Sequence, residues 1–117
     1  MIYIKIEETM KEATVNGYRR DPKWDYRDVE EITITATAEE AKALFPDGAE
    51  WELVQTFEPY VDGETGETVQ PEPIIHSHSE FCVSGAVIDH RNGKVTIRMG
   101  KITDAEALAE LKEALNG

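Results

Sequence analysis

Cysteine is almost absent: Cys82 is the only one in 117 residues. No intramolecular disulfide can form, and a cysteine-based zinc site is excluded. No apolar run approaches the roughly 20 residues needed to span a bilayer as a helix. The common phosphate- and metal-binding signatures are missing too. The chain has no Walker loop, no G-x-G-x-x-G, no H-E-x-x-H and no EF-hand spacing. Ser77, Ser79 and Ser84 lack the G-x-S-x-G elbow that exposes a nucleophile. No internal repeat, low-complexity stretch or linker divides the sequence. Basic residues are few, 12 against 24 acidic ones.

A chain of this length is the usual size of one domain and buries roughly two-thirds of its unfolded surface. Residues 1–117 are therefore expected to form a single domain. The opening Met1-Ile2-Tyr3-Ile4-Lys5-Ile6 alternates as a half-buried strand does, unlike the basic and apolar regions of a secretory signal. The expectation is a soluble, cytoplasmic protein that does not engage membrane.

The net charge of −12 is unevenly distributed. Residues 1–30 carry 7 acidic and 6 basic side chains, residues 31–80 carry 12 and 1, and residues 81–117 carry 5 of each. A field concentrated in the middle segment repels duplex nucleic acid and anionic membrane and attracts basic partners. The competing reading is that the acidic residues only keep the domain in solution.

Pattern along the chain predicts an α+β fold. Ile2, Ile4 and Ile6 share one face of a first strand. Residues 9–28 lack a clean period. Asn16-Gly17 suggests a tight hairpin there, and Asp21-Pro22 a break. Residues 29–36 read as the second strand. Thr37 and Glu40 form a capping box for a short helix from Ala38 to Phe45. Residues 51–58 read as a strand with Trp51, Leu53 and Phe57 on one face. Residues 62–67 look like a hairpin tip, with a returning arm to His78 confined to a sheet edge by Pro71 and Pro73. Residues 81–89 and 94–99 form a hairpin closed by Asn92-Gly93, with Gly85 marking a bulge or a close backbone approach. Thr103 and Glu106 cap a last helix with a Leu108, Leu111, Leu115 stripe. The expected architecture is a mostly antiparallel sheet of roughly five to six strands, with a short helix after strand two and the C-terminal helix packed across the sheet.

Four constellations bear on chemistry. His76 and His78 stand two apart, so in a strand both imidazoles face one way and suit one metal. Against this stands a polar edge strand with no defined third ligand, although Glu80, Cys82, Asp89 and His90 lie nearby in sequence. Cys82 between Phe81 and Val83 reads as a small apolar group rather than a nucleophile. No catalytic residue, bound metal or cofactor is assigned, and the chain is read as a non-enzyme. The segment from Tyr18 to Arg27 interleaves Tyr18, Trp24 and Tyr26 with Arg19, Arg20 and Arg27. Such a mixture suits a protein contact or a nucleotide or small anionic ligand, with Trp24 partly exposed and available for stacking. The alternative is a loop whose charges pair with Asp21, Asp25 and Asp28.

The last constellation is the acidic middle itself. Glu39, Glu50, Glu58, Asp62, Glu64 and Glu67 are expected to be exposed and to meet a basic protein surface. Carboxylates in a row imitate phosphates, and small acidic phage inhibitors of host nucleic-acid-binding or defence proteins, some anti-CRISPR proteins among them, use this mimicry. The chain is similar to them in size, charge and compactness, with no shared motif. The leading expectation is a non-catalytic acidic binding protein of that kind. The alternatives are a nucleotide or small-anion binder through residues 18–27, a metal-dependent activity at His76 and His78, and a structural phage accessory subunit.

Overall fold

The structure is a computed structural model and describes residues 1–116. The chain runs β1 (Ile2–Ile6), β2 (Thr9–Asp21), a 3-10 turn (Pro22–Trp24), β3 (Arg27–Thr35), α1 (Ala38–Leu44), β4 (Glu52–Gln55), β5 (Tyr60–Val61), β6 (Thr68–Val69), β7 (Ile74–Ser77), β8 (Val83–Asp89), β9 (Lys94–Gly100) and α2 (Asp104–Asn116). Seven strands form one sheet in the order β7-β4-β1-β2-β3-β9-β8, and β5 pairs with β6 as a separate ribbon. Every pairing is antiparallel. No described helix is long and apolar enough to cross a membrane.

The sheet is larger than its sequence suggests because residues 9–21 are one long strand. Asn16 and Gly17 do not turn. They stand in register opposite Glu31 and Glu30 of β3. The tight turn lies earlier, at Glu7-Glu8, where Glu7 adopts φ 53° and Ile6 pairs with Thr9. A local Asn-Gly preference gives way here to the ladder that β3 offers from Ala13 to Tyr18. One consequence is that α1 follows the third strand rather than the second.

Strand β2 pairs with β1 through Thr9–Glu12 and with β3 from Ala13 onward. The sheet changes partner in mid-strand, and its two halves share one core. Ile4 and Ile6 of β1 meet Ile32 and Ile34 of β3 and Val95, Ile97 and Met99 of β9. Ala41 of α1, with Phe45, Ala49, Trp51 and Phe81 from the connections, closes that core. Phe45 and Trp51 meet edge-on with ring centroids 5.5 Å apart, and Trp51 Nε1 donates to the Phe81 carbonyl at 3.0 Å. The indole is thus buried with its one polar group satisfied. The Thr37 cap forms as expected: its hydroxyl accepts from the Glu40 amide at 3.1 Å.

Two expectations about faces are corrected. Trp51 and Val54 are buried, whereas Leu53 is half-buried and Phe57 exposed. The ladder of β4 starts only at Glu52, so Trp51 lies outside it and strict alternation does not carry across the join. The second correction concerns α2. The Thr103–Glu106 capping box is present, with amide-to-side-chain bonds of 2.9 and 3.2 Å. Yet Leu108, Leu111 and Leu115 are 52, 57 and 78% exposed, so the stripe does not lie on the sheet. The core face is already covered by α1, Phe45 and Trp51, and the opposite face carries Glu31, Arg98 and the hydrogen-bonded pair Thr33–Thr96. Neither face offers an apolar seat for a second helix. The molecule measures 65 × 37 × 27 Å, with a radius of gyration of 17.9 Å. A compact domain of this size has about 13–14 Å.

Leu111→Ala is accordingly expected to change stability by less than about 0.5 kcal/mol, as exposed sites do. Phe45→Ala should cost about 3–5 kcal/mol. Urea unfolding of both variants checks the pair. A large loss at Leu111 would place α2 against the core after all.

Candidate functional site

The aromatic-basic segment folds onto the outer face of the sheet. Asp21 caps the 3-10 turn, its Oδ1 accepting from the Lys23 amide at 2.9 Å. Asp25 and Tyr26 take left-handed φ values of 55° and 56°, and the Tyr26 amide returns to the Asp21 carbonyl at 2.8 Å. This reversal lays Trp24 over β8 and β9. A Cβ at Gly85 would stand 2.5 Å from the indole, and one at Gly100 would stand 2.6 Å from Arg27 Cδ and 3.1 Å from the indole. Gly85 also sits where the β8–β9 register shifts, so its position in mid-strand serves both a bulge and a close approach.

Two guanidiniums cover the ring. Arg27 Cζ lies 4.6 Å from the Trp24 centroid and Arg98 Cζ 5.7 Å. The Arg27 side chain is 3% exposed and donates to the Trp24 carbonyl at 3.3 Å, the Lys101 carbonyl at 3.3 Å and Glu106 at 3.2 Å. The Thr103 amide and Arg27 hold the Glu106 carboxyl below its ordinary range. Arg98 hydrogen-bonds Asp21, and that bond, with the Lys23 amide, keeps the Asp21 carboxyl low as well. Of the six residues singled out by sequence, Trp24 is half-buried and Arg27 buried, and both serve the fold. Tyr18, Arg19, Arg20 and Tyr26 are exposed.

The acidic residues occupy other elements. Glu39 is in the first turn of α1, Glu50 precedes β4, and Glu58 follows it. Asp62, Glu64 and Glu67 lie at the tip of the β5–β6 ribbon, where Asp62 Oδ1 accepts from the Glu64 amide at 2.8 Å. Asp62 is half-buried by that turn and the other five are exposed. Among the described residues, none of the six has a cationic nitrogen within 4 Å. The carboxylates that do are Asp21, Asp25, Asp28, Glu30, Glu31, Glu80 and Glu106. A cleft of about 670 Å³ beside the end of α1 is lined by Glu7, Asp47, Glu50 and Glu52, with Lys5 as its one cation.

His76 and His78 part company. His76 is exposed in β7, opposite Leu53. The His78 ring lies between Trp51 and Phe81, at centroid distances of 5.2 and 6.0 Å, and its Nδ1 is 2.9 and 2.8 Å from the two oxygens of Glu30. Among the described residues no group of three or more His, Cys, Asp or Glu side chains is placed to hold a metal. Cys82 is a half-buried free thiol, and His90 Nε2 contacts Thr96 Oγ1 at 2.7 Å. Glu30 went unnoticed in the sequence. Its signal is parity: it shares the core face of β3 with Ile32 and Ile34, where a carboxylate needs a partner. Lys101 closes the cluster, 3.4 Å from Glu80, 3.9 Å from Asp28 and 5.2 Å from the Phe81 ring. No protein-family model matches this chain, and no curated protein or solved structure is significantly similar to it.

Burial pushes the Glu30 carboxyl above its ordinary 4.5, while His78 opposes the shift. A carboxyl raised in the folded state contributes stability that is whole below pH 4.5 and lost as pH climbs through the raised value. Wild-type stability relative to Glu30→Gln should therefore fall as pH rises from 4.5, measured by unfolding midpoints. Parallel pH profiles would mean that His78 cancels the burial cost. Separately, Gly85→Ala should cost about 1–3 kcal/mol and red-shift tryptophan emission, because the indole is forced off its seat. Gly17→Ala has open space around the new methyl. It should be neutral or stabilising by up to about 1 kcal/mol.

Proposed function

We propose that this chain is a non-catalytic acidic binding protein that engages a basic surface on a protein partner. The observation that carries the reading is the division of its charges. Arg27, Arg98 and Lys101 pair with carboxylates of the β2–β3 end and of the segments joined to it. Glu39, Glu50, Glu58, Glu64 and Glu67 stand exposed, and among the described residues none has a cationic nitrogen within 4 Å. Carboxylates left in water keep their full field, which concentrates a basic partner and raises its rate of encounter. The acidic cleft bordered by Glu7, Glu50 and Glu52 adds a concave place for a lysine or arginine side chain.

A cytoplasmic partner that presents a nucleic-acid channel fits this chemistry best, because spaced carboxylates offer it the charge of a phosphate row without the duplex. The protein would then act as a phage-type inhibitor of a host nucleic-acid-binding or defence protein. Tyr18, Arg19, Arg20 and Tyr26 lie outside this surface and take no part in it.

A host-lysate pull-down compares wild type with the quadruple variant Glu39→Lys/Glu50→Lys/Glu58→Lys/Glu64→Lys. The wild type should retain a basic protein at low salt and release it as the screening length shortens to about 8 Å at physiological ionic strength. Association with that purified protein should slow roughly tenfold or more in the variant, with a smaller change in dissociation. A partner held equally by both proteins at every salt concentration sinks the acidic-surface reading.

A further inference from the structure

We propose a second, independent site: a cleft on the outer face of the sheet that binds a small organic anion with a flat ring, of the nucleoside monophosphate class. The cleft has a volume of about 580 Å³ and lies between the end of β2, the 3-10 turn and β8. Ligand pockets typically run from about 300 to 1,000 Å³. Its residues divide by chemistry. Pro22, Ala86 and Ile88 supply apolar surface, with Ile88 43% exposed on the outer side of β8. Tyr18 stands beside them, 48% exposed, and offers a ring face on which a base can stack. Trp24 is the larger aromatic of the segment, but it sits on Gly85 and Gly100 with two guanidiniums near its ring. Stacking therefore falls to Tyr18.

Arg19 and Lys23 line the same cleft. Both are exposed, and among the described residues neither has a carboxylate within 4 Å. A guanidinium and an ammonium lining a cleft that also offers apolar surface are a pair that fits a terminal phosphate. Glu31 sits on the floor beside Arg98. Arg98 Nε lies 3.2 Å from Glu31 Oε1 but off hydrogen-bond alignment, and among the described residues Nε has no hydrogen-bond partner. The Glu31 carboxylate thus keeps acceptor capacity for a base amino group or ribose hydroxyls. The Asp21 carboxylate is held by Arg98 and the Lys23 amide. The site uses none of the residues of the proposed acidic surface, so either can fail alone.

The test is titration of the full chain with AMP, adenosine and inorganic phosphate, followed by amide chemical shifts and calorimetry. AMP should bind with a dissociation constant below about 1 mM and move the Tyr18, Lys23 and Ile88 amides. Adenosine and phosphate should each bind about tenfold more weakly or not at all, since adenosine lacks the charge that Arg19 and Lys23 would hold and phosphate lacks the ring that Tyr18 would stack. Arg19→Ala/Lys23→Ala should weaken AMP about tenfold and leave adenosine unchanged; Tyr18→Ala should weaken both. Unchanged unfolding midpoints show that the variants fold. The proposal is overturned if AMP does not bind, if phosphate binds as tightly as AMP, or if the variants bind AMP like wild type. Binding of a single-stranded oligonucleotide in the absence of AMP binding overturns the mononucleotide class.

Discussion

Strand β2 has to satisfy two partners with one backbone, and the rest of the molecule is arranged around that demand. Its first four residues complete the β1 ladder and the remainder completes the β3 ladder. The two halves of the sheet therefore share a strand and a core, to which Ala41 of α1, Phe45 and Trp51 also belong. Glu30 and His78 add a polar tie across the same interior, linking β3 to the connection after β7.

The same arrangement sorts the charges. The outer face of β3 and β9 draws in Arg27 and Arg98, while Lys101 sits on the other side with Asp28, Glu80 and the Phe81 ring, and each of the three lies beside carboxylates. What is left in water is an excess of Glu on α1, on the flanks of β4 and at the ribbon tip. The net charge of −12 is thus a poor guide to any one surface, because the ion pairs among the described residues involve Arg27, His78, Arg98 and Lys101 and leave Glu39, Glu50, Glu58, Glu64 and Glu67 outside them.

Elements with a local chemical signature were legible in the sequence. The Thr37 and Thr103 capping boxes, the β8–β9 hairpin, the ribbon tip and the edge position of β7 each follow from two or three side chains acting on their own backbone. Gly85 was legible for the same reason, since a glycine in mid-strand announces that something comes close. Length and depth were not. Asn16-Gly17 looks like a turn until β3 is there to pair with it. The Leu108, Leu111, Leu115 stripe looks like a core face until the core is seen to be full. In the candidate site, Arg27 gave no hint of being the most engaged cation, because its partners Lys101 and Glu106 lie more than seventy residues along the chain.

Gly85 has one more consequence. A sheet with free edges is a template: each outer strand presents unpaired amides and carbonyls to which another molecule can add, and stacking of that kind leads to fibres. Here β7 and β8 are the outer strands. The first is four residues long and entered through two prolines, at 71 and 73, which cannot donate. The second is interrupted by the register shift at Ser84–Val87. The glycine that lets an indole settle on one face of the sheet lies within the irregularity that spoils the edge for further growth.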